Sequence, residues 1–304
     1  MKTSEPASLG IFDLVVAYRV YPGISKKPAV FSKDKLAMTE LSILSFKKSC
    51  GDLKLRIIAL LDGCPPEYER VFRDVFKSDA LEIRNLSKVG NQGTFEIQVR
   101  DLANVASSDF VYFAEDDYFY REGAMQKMVR WAQSQPDVEY VTPYDHPDLY
   151  SLSLHRNPSF VRSSGKHSGP ALGFVWKTVA TTCLTFLART SALKRDQESF
   201  LTYCRGNPDA GMWLVITHVG VFRFLRILKF LFTQWDFFTF YARAWQMGWK
   251  RFLSRSGAKL WSPVPTVATH LESTGLAPGA MGGDWRKEIA DFISKHPLQS
   301  PGIL

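Results

Sequence analysis

The chain has 304 residues, 45% of them hydrophobic and 13% aromatic, and carries a formal net charge of +8. That is enough apolar material for one large α/β domain or two smaller ones, and it excludes a disordered chain. Four scattered cysteines, Cys50, Cys64, Cys183 and Cys204, without a CxxC pair, exclude a disulfide framework and a thiolate zinc site. The first ten residues, MKTSEPASLG, lack the apolar run of a secretory signal, and no uncharged apolar stretch approaches the roughly 18 residues of a membrane span. The expectation is a cytosolic chain.

The N-terminal half alternates strand-like and helix-like stretches, as a βαβ sheet between helices does. "FDLVVAYRV" (Phe12 to Val20) predicts a first strand, "KLAMTELSILSFKKS" a helix ending near Gly51, and "KLRIIALLDG" (Lys54 to Gly63) a second strand closed by Asp-Gly-Cys-Pro-Pro. A short helix in "EYERVFRDVFKS", a third strand in "LEIRNLS" and a long helix in "GTFEIQVRDLANVASS" follow. "DFVYFAEDDYFY" then supplies a fourth strand that runs into three carboxylates, Glu115, Asp116 and Asp117. Farther on come a helix in "GAMQKMVRWAQSQP", a strand in "VEYVTPYD", and a polar loop over roughly 151–169. "VWKTVATTCLTFLART" reads as a strand or a strand pair, and a helical, very aromatic region begins at Asn207.

In a doubly wound sheet the ligand crevice lies outside the carboxyl ends of the strands. Three acids there repel one another unless something positive sits among them, and a divalent cation is an economical answer. If extended geometry continues past Ala114, Glu115 and Asp117 project to one side and Asp116 to the other, so an i, i+2 pair can share one metal. Hard oxygen ligands favour magnesium or manganese, which bridge to substrate phosphates. An acidic cluster after a strand can equally be a solvated loop, so the reading depends on what surrounds it.

Taken in order, these segments resemble the family 2 glycosyltransferases and the wider GT-A fold, whose DxD-type motif at the end of a central strand holds the metal and diphosphate of a nucleotide-sugar. "FVYFAEDDYF" is similar to that motif, with Glu115 in place of the first Asp. By the same resemblance, Ala17 and Arg19 fall in the nucleotide-contacting loop, although the family's Pro-Thr-Tyr-Asn wording is absent. Asp62 falls where the family contacts the base or ribose. Gly93 matches the glycine that precedes the DxD segment, and Gln98 stands nearest the family's helix Asn. His270 in "PTVATHLESTGLAP" matches a C-terminal His of one bacterial branch, with Glu272 as an orienting partner. The resemblance thus implies Glu115, Asp117 and His270 around Mn2+ or Mg2+, with Asp116 in the donor-binding set. An imidazole among the ligands tilts the preference toward manganese.

The implied fold is an α/β, Rossmann-like GT-A mixed sheet flanked by helices with a helical C-terminal elaboration. Residues 10–205 would form the nucleotide-sugar core and 206–304 a basic, aromatic part closing the site. Transfer to an acceptor hydroxyl calls for a carboxylate base. Asp209 in "GNPDAGMW" is the choice and Glu198 in "KRDQESF" the reserve, while an ordinary helix N-cap is the competing role for Asp209. Inversion is implied by the resemblance alone. Arg19, Lys88, Arg156 and Lys166 are candidate phosphate contacts, and Trp176 is either a sugar platform or core.

Between Met212 and Leu260 eight basic residues face a single acid, Asp236, a net charge of +7. Arg223, Arg226 and Lys229 recur every third residue on an otherwise apolar helix, followed by Trp235, Trp245 and Trp249. Two readings stand side by side: a helix lying in an anionic headgroup region, or aromatics packed inward with basic stems snorkelling. Nucleic acid ranks third, because no nucleic-acid motif accompanies the aromatics. The expected function is a metal-dependent hexosyltransferase of cell-surface glycan synthesis, using a UDP-sugar and a glycan or lipid-linked acceptor, cytosolic or peripheral on the inner face of the plasma membrane. The alternatives are a sugar-phosphate nucleotidylyltransferase, whose glycine-rich phosphate loop is missing, and a non-enzymatic membrane- or nucleic-acid-binding protein on the same fold.

Overall fold

The protein is described by a computed structural model over residues 11–24, 27–152, 170–277 and 284–300. Its first half follows the alternation of the sequence. Strands β1 (Leu14–Val20), β2 (Leu55–Asp62), β3 (Ala80–Leu86) and β4 (Phe110–Glu115) alternate with helices α1 (Lys35–Ser49), α2 (Pro66–Val75) and α3 (Gly90–Ala103). All seven residues of β1 are buried, as a strand covered by helices on both faces requires. Asp34 caps α1 by accepting from the Ala37 amide at 2.9 Å. Gly90 opens α3 at φ +78, where a side chain would be strained.

Eight strands form one mixed sheet in the order β3-β2-β1-β4-β8-β6-β9-β7. The added strands are β6 (Tyr140–Val141), β7 (Val175–Val179), β8 (Phe186–Arg189) and β9 (Leu260–Val264). β3, β2, β1 and β4 run parallel, while β8 is antiparallel to β4. The chain winds outward from β1 to β3 and returns to place β4 on the other side of β1, so strand order reverses between β1 and β4. A crevice opens beyond their carboxyl ends, with Arg19 in register with Glu115.

The alternation of side chains along β1 sorts the core. Leu14, Val16, Tyr18 and Val20 pack with α1, α2, α4 (Ala124–Ser134) and α10 (Trp285–Lys295). Val15 and Ala17 pack with α3, α6 (Thr190–Phe200) and α7 (Asp209–Thr217) on the opposite face. A short helix α5 (Asp148–Ser151) precedes the polar loop.

Several expectations change. Extended chain stops at Glu115, residues 116–117 turn, and Tyr118–Tyr120 forms a separate strand β5, antiparallel to β10 (Ala268–His270). The stretch from Val175 to Arg189 yields two strands that do not pair with each other: β7 pairs with β9, and β8 sits between β4 and β6. The strand read in "VEYVTPYD" is only two residues long. The boundary expected near residue 205 does not divide the sheet, since β9 from beyond it lies between β6 and β7.

The basic, aromatic segment forms α8 (Phe224–Thr233) and α9 (Trp235–Ser254). Their joint core is Ile227, Phe230, Phe237, Tyr241 and Phe252, together with Leu214 and Val215 of α7. Among the described residues no helix is long and apolar enough to cross a membrane.

Candidate functional site

A cleft of about 550 Å³ opens at the carboxyl ends of β1 and β4, lined on its polar side by Arg19, Lys35, Asp62, Lys88 and the three acids. Each acid has its own cation. Glu115 continues the row of Val111 and Phe113 on the α3 face, where it pairs with Arg19 and accepts from Thr185 Oγ1 at 2.8 Å. Arg19 is fixed in turn by Asn91, whose backbone carbonyl accepts at 3.1 Å. Asp116 points to the other face, toward α1. Lys35 Nζ lies 2.9 Å from its Oδ1, while the Tyr21 amide and Thr39 Oγ1 donate to Oδ2 at 3.2 and 3.4 Å. Asp117 follows neither side, because the strand has ended, and faces His270 Nε2 at 3.1 Å from Oδ2.

Burial and charge oppose each other throughout this cluster. Burial raises the Asp116 carboxyl and Lys35 pulls it back only in part, leaving it above the usual carboxylate range. Burial would likewise raise Asp117, but the charge of His270 and its hydrogen bond, then Lys35 and Arg19, hold it well below that range. Burial would lower His270, and Asp117 outweighs it, lifting the imidazole to about 9. His270 sits on β10 directly opposite Tyr118, whose ring meets it edge-on at 5.0 Å. Glu272 Oε2 lies 3.7 Å from the Nδ1 side. Gly275 makes this seat possible, because a Cβ there would stand 2.8 Å from His270 Nδ1.

The metal trio expected from the sequence does not converge, because Glu115 is turned to Arg19 and Thr185. Among the described residues no group of three or more His, Cys, Asp and Glu side chains could hold a metal ion by itself. Asp117 and His270 do meet, and Asp117 Oδ1 is buried with no hydrogen-bond partner among the described residues. An orphaned carboxylate oxygen beside an imidazole suits a cation that draws its other ligands from a bound phosphate, not a closed protein cage.

Other expected residues fall elsewhere. Asp62 lines the cleft, but its two oxygens each accept a backbone amide at 2.8 Å, from Val89 and Gly90, so it caps the start of α3. Ala17 is fully buried, and its carbonyl accepts from Gln98 Nε2 at 2.7 Å. Gln98 also reaches the Ala114 carbonyl, which ties β1 to β4 beneath the cleft and keeps this side chain out of the cleft lining. Gly90 and Asn91, not Gly93, form the cleft wall. Trp176 is buried and stacked on Trp131 at 3.7 Å, which makes it core. Glu198 is exposed, paired with Arg205 at 2.9 Å, and does not line the cleft. Arg156 and Lys166 lie outside the described residues.

Asp209 starts α7 and lines a second cavity of about 140 Å³ with His146, Thr182 and Cys183. Its Oδ1 accepts from the Ala210 amide at 2.6 Å. Burial raises its pKa, and Glu115 adds to the rise. The Cys183 thiol is pushed far up by burial and then by Asp209, Glu115 and Asp117. The sequence reading missed Lys35, Asn91 and Thr185. No local pattern announces them, because each acts through a partner far along the chain.

No family model matches the sequence, and no curated protein matches it. Solved structures similar to the chain include the galactosyltransferase LgtC in complex with donor and acceptor sugar analogs (11% identity over 60% of this chain and 59% of that one, TM-score 0.35). S. aureus TarS 1-349 matches at 13% identity over 66% of this chain and 55% of that one, with a TM-score of 0.40. The mannosyltransferase PcManGT from Pyrobaculum calidifontis, in complex with GDP-Man and Mn2+, matches at 12% identity over 79% and 77%, with a TM-score of 0.41. The match spans little more than half the length of the first two.

Proposed function

We propose that the chain is a glycosyltransferase that moves a sugar from a nucleotide-sugar, a UDP-sugar in the first instance, to a hydroxyl of a glycan or lipid-linked acceptor in cell-surface glycan synthesis. The observation that carries this reading is the Asp117–His270 pair, with the orphaned Asp117 Oδ1, at a cleft where strand order reverses. Mn2+ or Mg2+ held by Asp117 and His270 would supply Lewis-acid neutralisation of the leaving diphosphate.

The chain's own residues do the rest. Arg19 and Lys35 neutralise Glu115 and Asp116, which fixes the turn and presents Asp117. His270 must release the proton that Asp117 stabilises before it can act as a ligand. Lys88, exposed at the cleft wall and held at φ +57, has no ion pair among the described residues and can meet a phosphate. Asp209 serves as the base: Oδ1 is anchored on the Ala210 amide, and Oδ2 takes the proton of the acceptor hydroxyl. Its raised pKa brings it nearer the range in which a base is both ionised and able to accept a proton. Inversion at the anomeric centre would follow if the hydroxyl that Asp209 deprotonates attacks from the face opposite the leaving diphosphate.

Calorimetric titration of UDP, with and without manganese, onto the wild type and Asp117→Ala tests the reading. The expected result is metal-dependent binding that the substitution abolishes. Metal-independent binding that survives unaltered in the variant would overturn the site assignment.

A further inference from the structure

The strongest unexplained feature outside the cleft is the solvent face of α8. Its buried side is formed by Ile227 and Phe230, and Phe230 meets Phe237 and Tyr241 of α9 at 5.7 and 6.1 Å. The opposite side carries Phe224, Leu225, Leu228 and Phe232, all exposed, with Leu225 at 88% and Phe232 at 81%. At about 100° per residue, these four positions share one arc of about 100°. Phe222 just before the helix and Trp235 just after it are also exposed. A contiguous apolar stripe of this kind on a folded surface is a mark of an interaction site.

One flank of the stripe is cationic. On the same helical count Lys229, Thr233 and Arg226 follow it around the helix before the buried side begins. The whole segment from Met212 to Leu260 holds Asp236 as its single acid. A second copy of the chain would bring the same cations face to face across a twofold interface, which disfavours self-association. An anionic surface meets them favourably, and hydrocarbon receives Leu225 and Phe232. The helix is too short and too charged to cross a bilayer, so it must lie along one.

We propose that α8 docks the protein on an anionic lipid bilayer, with Phe224, Leu225, Leu228 and Phe232 entering the acyl boundary while Lys229 and Arg226 remain at the headgroups. The docking face shares no residue with the acidic cleft. Docking and sugar transfer can therefore fail independently, and a lipid-binding assay judges this proposal alone.

The test is co-sedimentation of the full chain with vesicles of phosphatidylcholine, with and without phosphatidylglycerol, beside a Leu225→Ser/Phe232→Ser double variant. The wild type is expected to partition onto the anionic vesicles, and the double variant to partition about tenfold more weakly or worse, with its thermal midpoint unchanged because both positions are solvent-exposed. High salt should weaken the wild-type partition as the cations are screened. Failure of the wild type to bind, equal binding to neutral vesicles, or unaltered binding by the double variant overturns the proposal. A lipid-free dimer in sedimentation velocity that the double variant abolishes also overturns it, and assigns the face to a second copy.

Discussion

The acidic cleft and the face of α8 depart from ordinary burial in opposite ways. The cleft places Arg19, Lys35, Asp116 and Asp117 in or at the edge of the protein interior, where charged side chains are costly. The α8 face leaves four large apolar side chains in water. Stability alone favours neither arrangement, and the two are maintained differently. The cleft is tolerable because each carboxylate has a cation within hydrogen-bond reach, so the structure is over-determined there. The α8 face has no such pairing, and under the docking proposal its cost is offset by a lipid surface. A charged interior thus points to a small ligand that replaces one of the internal partners, and an uncovered apolar face points to an extended surface.

The sharpest break between the two regions comes from Asp117→Asn. It should lower sugar transfer by about a thousandfold or more, read as UDP release, and leave vesicle partition unchanged. Asp209→Asn should reduce kcat by about 10²- to 10³-fold while UDP affinity measured by calorimetry holds, which separates base from donor site. Lys35→Met should cost about 3 kcal/mol or more in urea unfolding, because Asp116 is then left buried without its cation.

A pH series probes the same cluster. His270 is held near 9, above its unfolded value of 6.5. Its contribution to stability is therefore complete below about pH 6.5 and disappears as pH rises through about 9. Asp117, depressed by the same contact, contributes above 3.8 and loses its contribution as pH falls. The unfolding free energy should decline between pH 6.5 and about 9 in the wild type, and His270→Gln should flatten that slope. The smallest effect is expected at Glu198→Gln. This exposed residue, paired among the described residues with Arg205, should leave turnover and stability unaltered.

Much of the frame was legible in the sequence. The helix read in "KLAMTELSILSFKKS" is α1 to the residue, and β2, β3 and β4 fall where their apolar runs end in Asp-Gly, Leu-Ser and acid. Local periodicity and breakers decide such elements, and both are written within a few residues. The site was legible only in outline. Glu115 and Asp116 take opposite faces as strand alternation requires, but the turn at 116–117 sends Asp117 toward His270. The aromatic segment divided: α9 turns Phe237 and Tyr241 inward, while α8 turns Leu225 and Phe232 outward.

By itself, then, the sequence determined where the strands and helices of the first half form, that an acid triplet ends the central strand, and that cationic charge gathers near the carboxyl end, because these are properties of neighbouring residues. The tertiary structure alone decided which cation meets which acid. Arg19 and Glu115 are 96 residues apart, and nothing in the linear pattern pairs them. It also decided that Asp62 is taken up by backbone amides, that Asp117 keeps one oxygen unpartnered, and that one side of α8 faces water. Each depends on the direction in which a side chain leaves its element and on what the fold brings opposite it, and packing settles both.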